Sequence, residues 1–232
     1  MNDLADAIAA RAEQARARIE HAGGDPDAVR IVAVTKAFGP TELAAAFEAG
    51  LTEFGENYAD ELVTKWATVG RGARWHFLGA VQRNKVRRLA PYVDCWQTIA
   101  RQVEAEAIER NRTELSREPG SEIGRPPSLL VEVETPGLKG RGGCPPAEVP
   151  GLVARLRDEG SQVDGLMTVA PPGDPHRARA AFDLVAALGA ELGLKELSMG
   201  MSEDLEQAVA AGATMVRLGT ALFGPRPQRR RL

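Results

Sequence analysis

Short apolar runs alternate with longer amphipathic stretches along most of the chain. Eight runs have the length and apolar character of strands, at residues 30–35, 51–55, 74–79, 94–99, 128–134, 162–169, 196–200 and 214–219. Stretches with helical periodicity lie at 2–22, 40–49, 58–68, 84–90, 101–114, 146–159, 176–192 and 203–211. The pattern therefore predicts a regular alternation of strands and helices that begins with a helix.

This alternation favours a parallel sheet whose outer surface is covered by helices, and eight such units close naturally into a barrel. An open doubly wound sheet is the competing architecture. No glycine-rich dinucleotide turn (G-x-G-x-x-G) follows the first strand, where such a sheet usually carries one. We therefore predict an α/β protein with a single (β/α)8 TIM-type barrel over 1–224, an extra N-terminal helix and a solvated basic tail over 225–232.

Composition narrows the possible partners. The 232 residues are 44% hydrophobic and 26% charged, and the formal net charge of -3 gives no electrostatic reason to expect nucleic acid or a membrane surface. The apolar runs are shorter than the roughly 20 residues that cross a bilayer. The N-terminal segment lacks the pattern of a signal peptide, and Cys95 and Cys144 do not form a disulfide or metal motif, so we expect a cytoplasmic protein. Two segments rich in Gly, Pro and charge, 117–127 and 135–146, are predicted to be mobile loops.

The barrel prediction brings distant residues together, because active sites of barrels lie at the carboxyl ends of the strands. A lysine, an arginine, a histidine and several small polar residues occupy these positions in the sequence. The set is Lys36, Glu56, Asn57, His76, Gln82, Asn84, Met167, Thr168, Ser198, Gly200, Ser202, Arg217, Gly219 and Thr220.

Two turns in this set have the composition of phosphate-binding turns. "SMGMSED" (198–204) and "RLGTALFG" (217–224) each place Gly, Ser or Thr directly before a helix, where backbone N–H groups favour an anion. Either turn alone is also an ordinary helix cap. Together, after strands seven and eight, they favour a phosphate site.

Lys36 ends the first strand in "IVAVTKAFG" and has three possible roles. It could be a solvated cap, an aldolase-type lysine, or the lysine that forms an imine with pyridoxal 5′-phosphate. The last role would combine a desolvated lysine with a phosphate site across the barrel mouth, and Arg217 could then meet the ring nitrogen.

Several sequence blocks resemble the pyridoxal-phosphate homeostasis protein family. They are "VAVTK", "FGENYADEL", "WHFLGAVQRNKVR", "VDGLMTV" and "LSMGMSEDLEQAVAAGATMVRLGTALFG", which follow one another from the first strand to Gly224. The resemblance implies a barrel similar to the N-terminal domain of alanine racemase that binds pyridoxal 5′-phosphate. One departure is Phe38, where the family often has a second basic residue.

The resemblance also implies roles for individual residues. Lys36 is expected to form the aldimine with the cofactor, and Arg217 to approach the pyridine nitrogen. Ser202, Gly219 and Thr220 are expected to hold the phosphate. Three further residues are assigned to the cofactor site with less definite roles: Asn57 near the ring hydroxyl, His76 behind it, and Met199.

Two functions remain open at this point. The first is a non-catalytic protein that stores, buffers or delivers the cofactor, with pyridoxal-phosphate-dependent apo-enzymes as possible recipients. The second is an amino-acid racemase of low activity. A racemase of the alanine type needs a tyrosine from a second domain and a partner subunit, whereas Tyr58 and Tyr92 are the only tyrosines here and Tyr58 is expected to pack. We therefore favour the cofactor carrier and expect a monomer.

Overall fold

The computed structural model describes residues 3–120, 123–135 and 142–225. Eight parallel strands pair in sequence order, and the first also pairs with the last, so that the sheet closes into a barrel. The strands are β1 (Arg30–Val34), β2 (Glu53–Glu56), β3 (Arg74–Phe77), β4 (Cys95–Ile99), β5 (Ser128–Glu132), β6 (Val163–Met167), β7 (Glu196–Ser198) and β8 (Met215–Leu218). The predicted fold class is confirmed, and each predicted strand is present.

Each predicted helix is also present on the outside of the barrel. The helices are α1 (Asp3–His21), α2 (Pro40–Glu48), α3 (Ala59–Val69), α4 (Arg83–Leu89), α5 (Gln102–Ser116), α6 (Val149–Asp158), α7 (Pro175–Glu191), α8 (Leu205–Ala210) and α9 (Thr220–Phe223). Residues 146–148, predicted as the start of a helix, form a 3-10 turn before α6. The single-turn helix α9 was not predicted, because four residues are too few to show a helical period.

The core has an outer shell and a barrel interior with different compositions. Fully buried aromatic residues of the strands, Phe54, Trp75 and Trp96, pack in the shell between strands and helices. Since successive strand residues point to opposite faces, their neighbours His76 and Gln97 point into the barrel. The interior thus contains buried polar side chains, which need hydrogen-bond partners to be tolerated there.

Parts of four predicted segments cannot be compared with the structure. Residue 2, in the predicted N-terminal helix, 121–122 and 136–141, in the predicted loops, and 226–232, in the predicted tail, lie outside the described residues. Within the described ranges, no helix is long and apolar enough to cross a membrane.

Candidate functional site

A cavity of about 640 Å³ opens at the carboxyl ends of the strands. Six of the eight residues assigned to the cofactor line it, Lys36, Asn57, Ser202, Arg217, Gly219 and Thr220, and so does Met167 of the wider strand-end set. His76 and Met199 are fully buried and are not part of its wall. Gln82 and Asn84, at the start of α4, are exposed outside it. Most of the predicted set therefore converges on one cavity.

Lys36 is half-buried in the turn between β1 and α2. The next residue, Ala37, has a positive φ of 70°, and the Phe38 N–H donates to the Thr35 carbonyl at 3.0 Å to close the turn. A positive φ is uncommon for a residue with a side chain, so other contacts must hold this turn in place. Lys36 thus extends into the cavity from a constrained backbone.

Phe38 connects this turn to the last strand–helix junction. Its side chain is buried, and its ring centroid lies 4.9 Å from that of Phe223 in α9. An aromatic pair at this distance contributes packing energy beyond the burial of its area. The apolar residue at position 38 therefore fixes the Lys36 turn against the helix that begins with Thr220.

Arg217 enters the cavity from β8, although only 5% of its surface is exposed. Its guanidinium donates to the Ser198 carbonyl, the Ser198 hydroxyl and the Thr168 carbonyl, each at 2.7 Å. Burial lowers the pKa of Arg217 to about 10, against the longer-range attraction of Asp204 and Glu132. The arginine is therefore still charged at neutral pH, and its hydrogen-bonded neighbours are neutral oxygens.

A buried hydrogen-bond chain runs from Arg217 through the barrel interior. The Ser198 hydroxyl donates to Gln97 Oε1 at 2.6 Å, Gln97 Nε2 contacts His76 Nδ1 at 2.8 Å, and His76 Nε2 contacts Glu53 Oε2 at 2.8 Å. With Gln97 Nε2 as donor, His76 accepts at Nδ1 and carries its proton on Nε2. Each member then donates to the next one along the chain.

His76 links Gln97 to Glu53, the last member of this chain. Glu53 lies at the start of β2, at the end of the barrel opposite the cavity mouth. Burial lowers the pKa of His76 more than the nearby Glu53 carboxylate raises it, so the imidazole is neutral. Burial raises the pKa of Glu53, but the hydrogen bond from His76 and the charges of Arg30 and Arg74 outweigh it and leave that pKa lowered. His76 thus supports Arg217 indirectly, through Gln97 and Ser198.

The turn that carries Ser202 lies beside the start of α9. Ser202 Oγ accepts from the Ala221 N–H and from the Thr220 hydroxyl, both at 3.3 Å. Gly200, before this turn, has φ of 89°, and a Cβ there would lie 2.5 Å from the Cβ of Ala208. Arg18 of α1 donates to the Ser202 carbonyl at 3.0 Å. The extra N-terminal helix therefore supports one wall of the cavity.

Asn57 is held by a close backbone approach between two turns. Its side-chain nitrogen donates to the Leu78 carbonyl at 3.3 Å, whereas its buried Oδ1 has no hydrogen-bond partner within the part of the chain that the structure describes. A Cβ on Gly79 would lie only 2.1 Å from the Asn57 carbonyl oxygen. This approach explains why glycine follows the third strand, in the "WHFLG" block.

Part of the cavity wall was not predicted from the sequence. It includes Glu132 at the end of β5, Asp204 and Gln207 beside Ser202, and the loop 169–175 after β6. Glu132 was missed because the fifth strand was predicted to extend to residue 134. With the strand ending at Glu132, this residue would have been counted among the strand-end residues. The sequence "VAPPGDP" of the loop is a Pro/Gly cluster directly after a strand, and such clusters mark loops at the mouth of a barrel.

The conformation of Tyr58 differs from the prediction. This residue precedes α3 and was expected to pack, but its side chain is 54% exposed and it is not part of the cavity wall. Tyr92 does pack, against Trp66, with ring centroids 5.0 Å apart. Tyr58 occupies the N-cap of α3, at the surface of the barrel.

Comparisons with known proteins agree with this geometry. A family model described as alanine racemase, N-terminal domain, matches residues 5–227. Proteins named pyridoxal phosphate homeostasis protein are similar to the chain: that of Pseudomonas aeruginosa is 35% identical over 97% of both chains, and that of Deinococcus radiodurans is 38% identical over 94% of this chain and 98% of its own. The solved structure of PipY from Synechococcus elongatus with pyridoxal phosphate bound has a TM-score of 0.78 and 32% identity, covering 94% of this chain and 100% of PipY. The chain therefore belongs to the pyridoxal phosphate homeostasis protein family, whose barrel is that of the alanine racemase N-terminal domain.

Proposed function

We propose that this protein binds pyridoxal 5′-phosphate covalently at Lys36 and acts in the homeostasis of the cofactor by storing, buffering or delivering it. The observation that carries the proposal is the cavity itself. It combines a lysine, a buried arginine and two hydroxyl groups, and these are the groups that an aldehyde, a ring nitrogen and a phosphate require. The PipY structure with pyridoxal phosphate bound supports the binding of this cofactor.

The residues of the cavity fit a polar ligand of this kind. Two buried oxygen atoms of its wall, Asn57 Oδ1 and Gln207 Oε1, have no hydrogen-bond partner among the described residues. Unpaired buried polar atoms are costly, so a ligand with hydrogen-bond donors would compensate them. The hydroxyls of Ser202 and Thr220 lie 3.3 Å apart, a spacing at which both could donate to one phosphate group.

Lys36 and Arg217 have different tasks in this proposal. When bound, pyridoxal 5′-phosphate supplies an aldehyde that condenses with an unprotonated lysine amine, with loss of one water molecule. Lys36 provides that amine from its constrained turn. Arg217, which stays protonated at neutral pH, would donate a hydrogen bond to the ring nitrogen and so disfavour its protonation. An unprotonated ring stabilises carbanions poorly, which favours holding the cofactor over transamination.

The composition of the cavity wall supports a carrier over a racemase. Among the described residues that line it there is no tyrosine, histidine or cysteine. A racemase of the alanine type needs a tyrosine opposite the lysine as its second acid–base group, and the acidic residues of the wall, Glu132, Asp174, Glu203 and Asp204, do not supply one. Tyr58 is the nearest candidate in sequence, and its exposed position outside the cavity does not provide that group.

Cofactor binding is tested by absorbance and by borohydride reduction. The wild-type protein is expected to become yellow on addition of pyridoxal 5′-phosphate, and Lys36→Ala to remain colourless while keeping its fold. Lys85→Ala is the matched control, because Lys85 lies exposed on α4 outside the cavity. A wild-type protein that gains no colour, or a Lys36→Ala variant that keeps it, would contradict the proposal.

Delivery and racemisation need separate measurements. The loaded protein is expected to reactivate a pyridoxal-phosphate-dependent apo-enzyme when the free cofactor is kept low by a scavenging enzyme. L-Alanine and L-serine incubated with concentrated loaded protein are expected to keep their configuration. Rapid formation of the D-isomers would establish the racemase instead.

A further inference from the structure

A buried charged cluster lies beneath the turn that carries Lys36. It consists of Lys65, Glu56 and Glu61, and we call it the sub-turn cluster. The side chain of Lys65 is 4% exposed and that of Glu56 is fully buried. Lys65 Nζ lies 2.6 Å from Glu56 Oε1 and 2.9 Å from Glu61 Oε2. Burying these charges is costly, so their presence requires an explanation beyond stability.

Each of the cluster's three members holds the backbone or side chain of a residue next to Lys36. Lys65 Nζ donates to the Thr35 carbonyl at 2.7 Å, and the Thr35 hydroxyl donates to Glu56 Oε1 at 2.5 Å. On the other side of Lys36, the Ala37 N–H donates to Glu61 Oε2 at 3.0 Å. The cluster therefore fixes the residues immediately before and after the lysine.

The conformation of the turn shows why such support is needed. Within the described residues, Ala37 is the only residue other than glycine with a positive φ. A residue with a Cβ keeps this conformation only where surrounding contacts impose it. The bond from the Ala37 N–H to Glu61 is a contact of that kind, and Lys65 in turn fixes the Glu61 carboxylate.

We infer that Lys65 is a positioning residue that holds the Lys36 amine in the cavity, with Glu61 as the link to Ala37. The inference rests on the proposed function, because it concerns the lysine that binds the cofactor. Lys65 does not itself react, since its ammonium is buried and donates to three oxygen atoms. A purely structural ion pair would stabilise α3 against β2 without affecting the Lys36 turn.

Two readouts on the cofactor-free protein distinguish positioning from general stability. The first is hydrogen exchange of the Ala37 amide, measured by NMR. The second is the acetylation rate of Lys36 by acetic anhydride, relative to that of the exposed Lys195. In Lys65→Met we expect hydrogen exchange of the Ala37 amide to be roughly tenfold faster than in wild type, which is the effect of losing one hydrogen bond to a charged group. We also expect the acetylation rate of Lys36, relative to that of Lys195, to differ from its wild-type value. The affinity for pyridoxal 5′-phosphate is expected to fall by a similar factor.

The matched control is Glu104→Ala. Glu104 is also buried and accepts from the Ala100 and Arg101 amides in the turn after β4, outside the cavity wall. Its loss is expected to destabilise the fold and leave Ala37 exchange and Lys36 acetylation at wild-type values. If Glu104→Ala changes both readouts as much as Lys65→Met, the effect is one of general stability and the inference is wrong.

Glu61 provides a second test in case Lys65→Met does not fold. Its side chain is 23% exposed, so substitutions there are tolerated more readily. Glu61→Ala removes the acceptor of the Ala37 N–H and is expected to give faster exchange at Ala37, whereas Glu61→Gln keeps an acceptor and is expected to restore most of the protection. Equal exchange in Glu61→Ala, Glu61→Gln and wild type would overturn the inference. A wild-type protein that binds no cofactor would refute the proposed function alone, because both readouts are taken without cofactor.

Discussion

Arg217→Met is expected to weaken the binding of the cofactor without lowering the stability of the barrel. In the folded protein, burial lowers the pKa of Arg217 well below its ordinary value, to about 10. A difference of this size corresponds to about 3 kcal/mol of unfavourable free energy for the charged form. Because the folded pKa is below the unfolded one and both are far above 7, the penalty is present in full across the neutral range. Methionine is uncharged and avoids this penalty, but it is shorter than arginine and leaves the space of the guanidinium unfilled.

The substitution also removes hydrogen bonds, which limits the gain. The Ser198 carbonyl and hydroxyl keep other contacts, to the Thr168 N–H at 3.2 Å and to Gln97 at 2.6 Å, whereas the Thr168 carbonyl loses the hydrogen bond from Arg217. We therefore expect the free energy of unfolding of the cofactor-free protein to stay constant or to rise by up to about 3 kcal/mol. The affinity for pyridoxal 5′-phosphate is expected to fall at least roughly tenfold, since a charged hydrogen bond to the ring is lost.

Urea denaturation of cofactor-free wild type, Arg217→Met and Arg217→Lys measures the first quantity, and absorbance titration measures the second. Lysine keeps the charge but cannot reach both Ser198 and Thr168 with a planar fork, so it is expected to be the least stable of the three. If Arg217→Met loses more than about 2 kcal/mol of stability and binds the cofactor normally, the arginine is a structural residue and the reasoning fails.

Three further predictions concern the packing of Gly79 and Phe38 and the protonation of His76. Gly79→Ala forces a Cβ to within 2.1 Å of the Asn57 carbonyl oxygen and is expected to lower the free energy of unfolding, measured with urea, by about 3 kcal/mol. The control Gly151→Ala, on α6, is expected to be neutral or stabilising. Equal stability of the two variants would contradict this prediction. Phe38→Ala removes a buried ring and should cost about 3 kcal/mol and weaken cofactor retention, and unchanged retention would show that the ring does not fix the Lys36 turn. The lowered pKa of the buried His76 means that the folded protein binds fewer protons than the unfolded chain below pH 6.5, so stability is lost as the pH falls from 6.5 toward 5. His76→Gln is expected to reduce that loss, by at most about 1.4 kcal/mol per pH unit, and a parallel loss in both proteins would show that His76 is not responsible.

The alternation of apolar runs predicted the fold because each strand of a parallel barrel is buried on both faces and each helix on one. The same topology placed Lys36, Asn57, Ser202 and Arg217 at one end of the barrel. In a parallel barrel the carboxyl ends of all strands lie at the same end, so residues at or near those ends come together. The prediction was weaker where a side chain's direction matters. His76 lies within its strand and not after it, so the rule that site residues lie at strand ends applies to it only approximately. A shift of one position along a strand moves a side chain from the barrel interior to the outer shell.

Contacts between distant residues were beyond reach of the sequence pattern. The chain from Arg217 to His76 joins four strands, and no periodicity shows that Gln97 and Ser198 meet inside the barrel. Phe38 was unexplained in the sequence because its partner, Phe223, lies in a helix of one turn. Its packing shows that an apolar residue at this position has a structural role in linking two walls of the cavity.

The most direct test of the central claim is the mass of the protein after incubation with pyridoxal 5′-phosphate and reduction with borohydride, followed by identification of the modified peptide. The proposed function predicts one phosphopyridoxyl group per chain, attached to Lys36, and none on the buried Lys65 or the exposed Lys85. A protein that remains unmodified, or one modified at equal levels on several lysines, would contradict it.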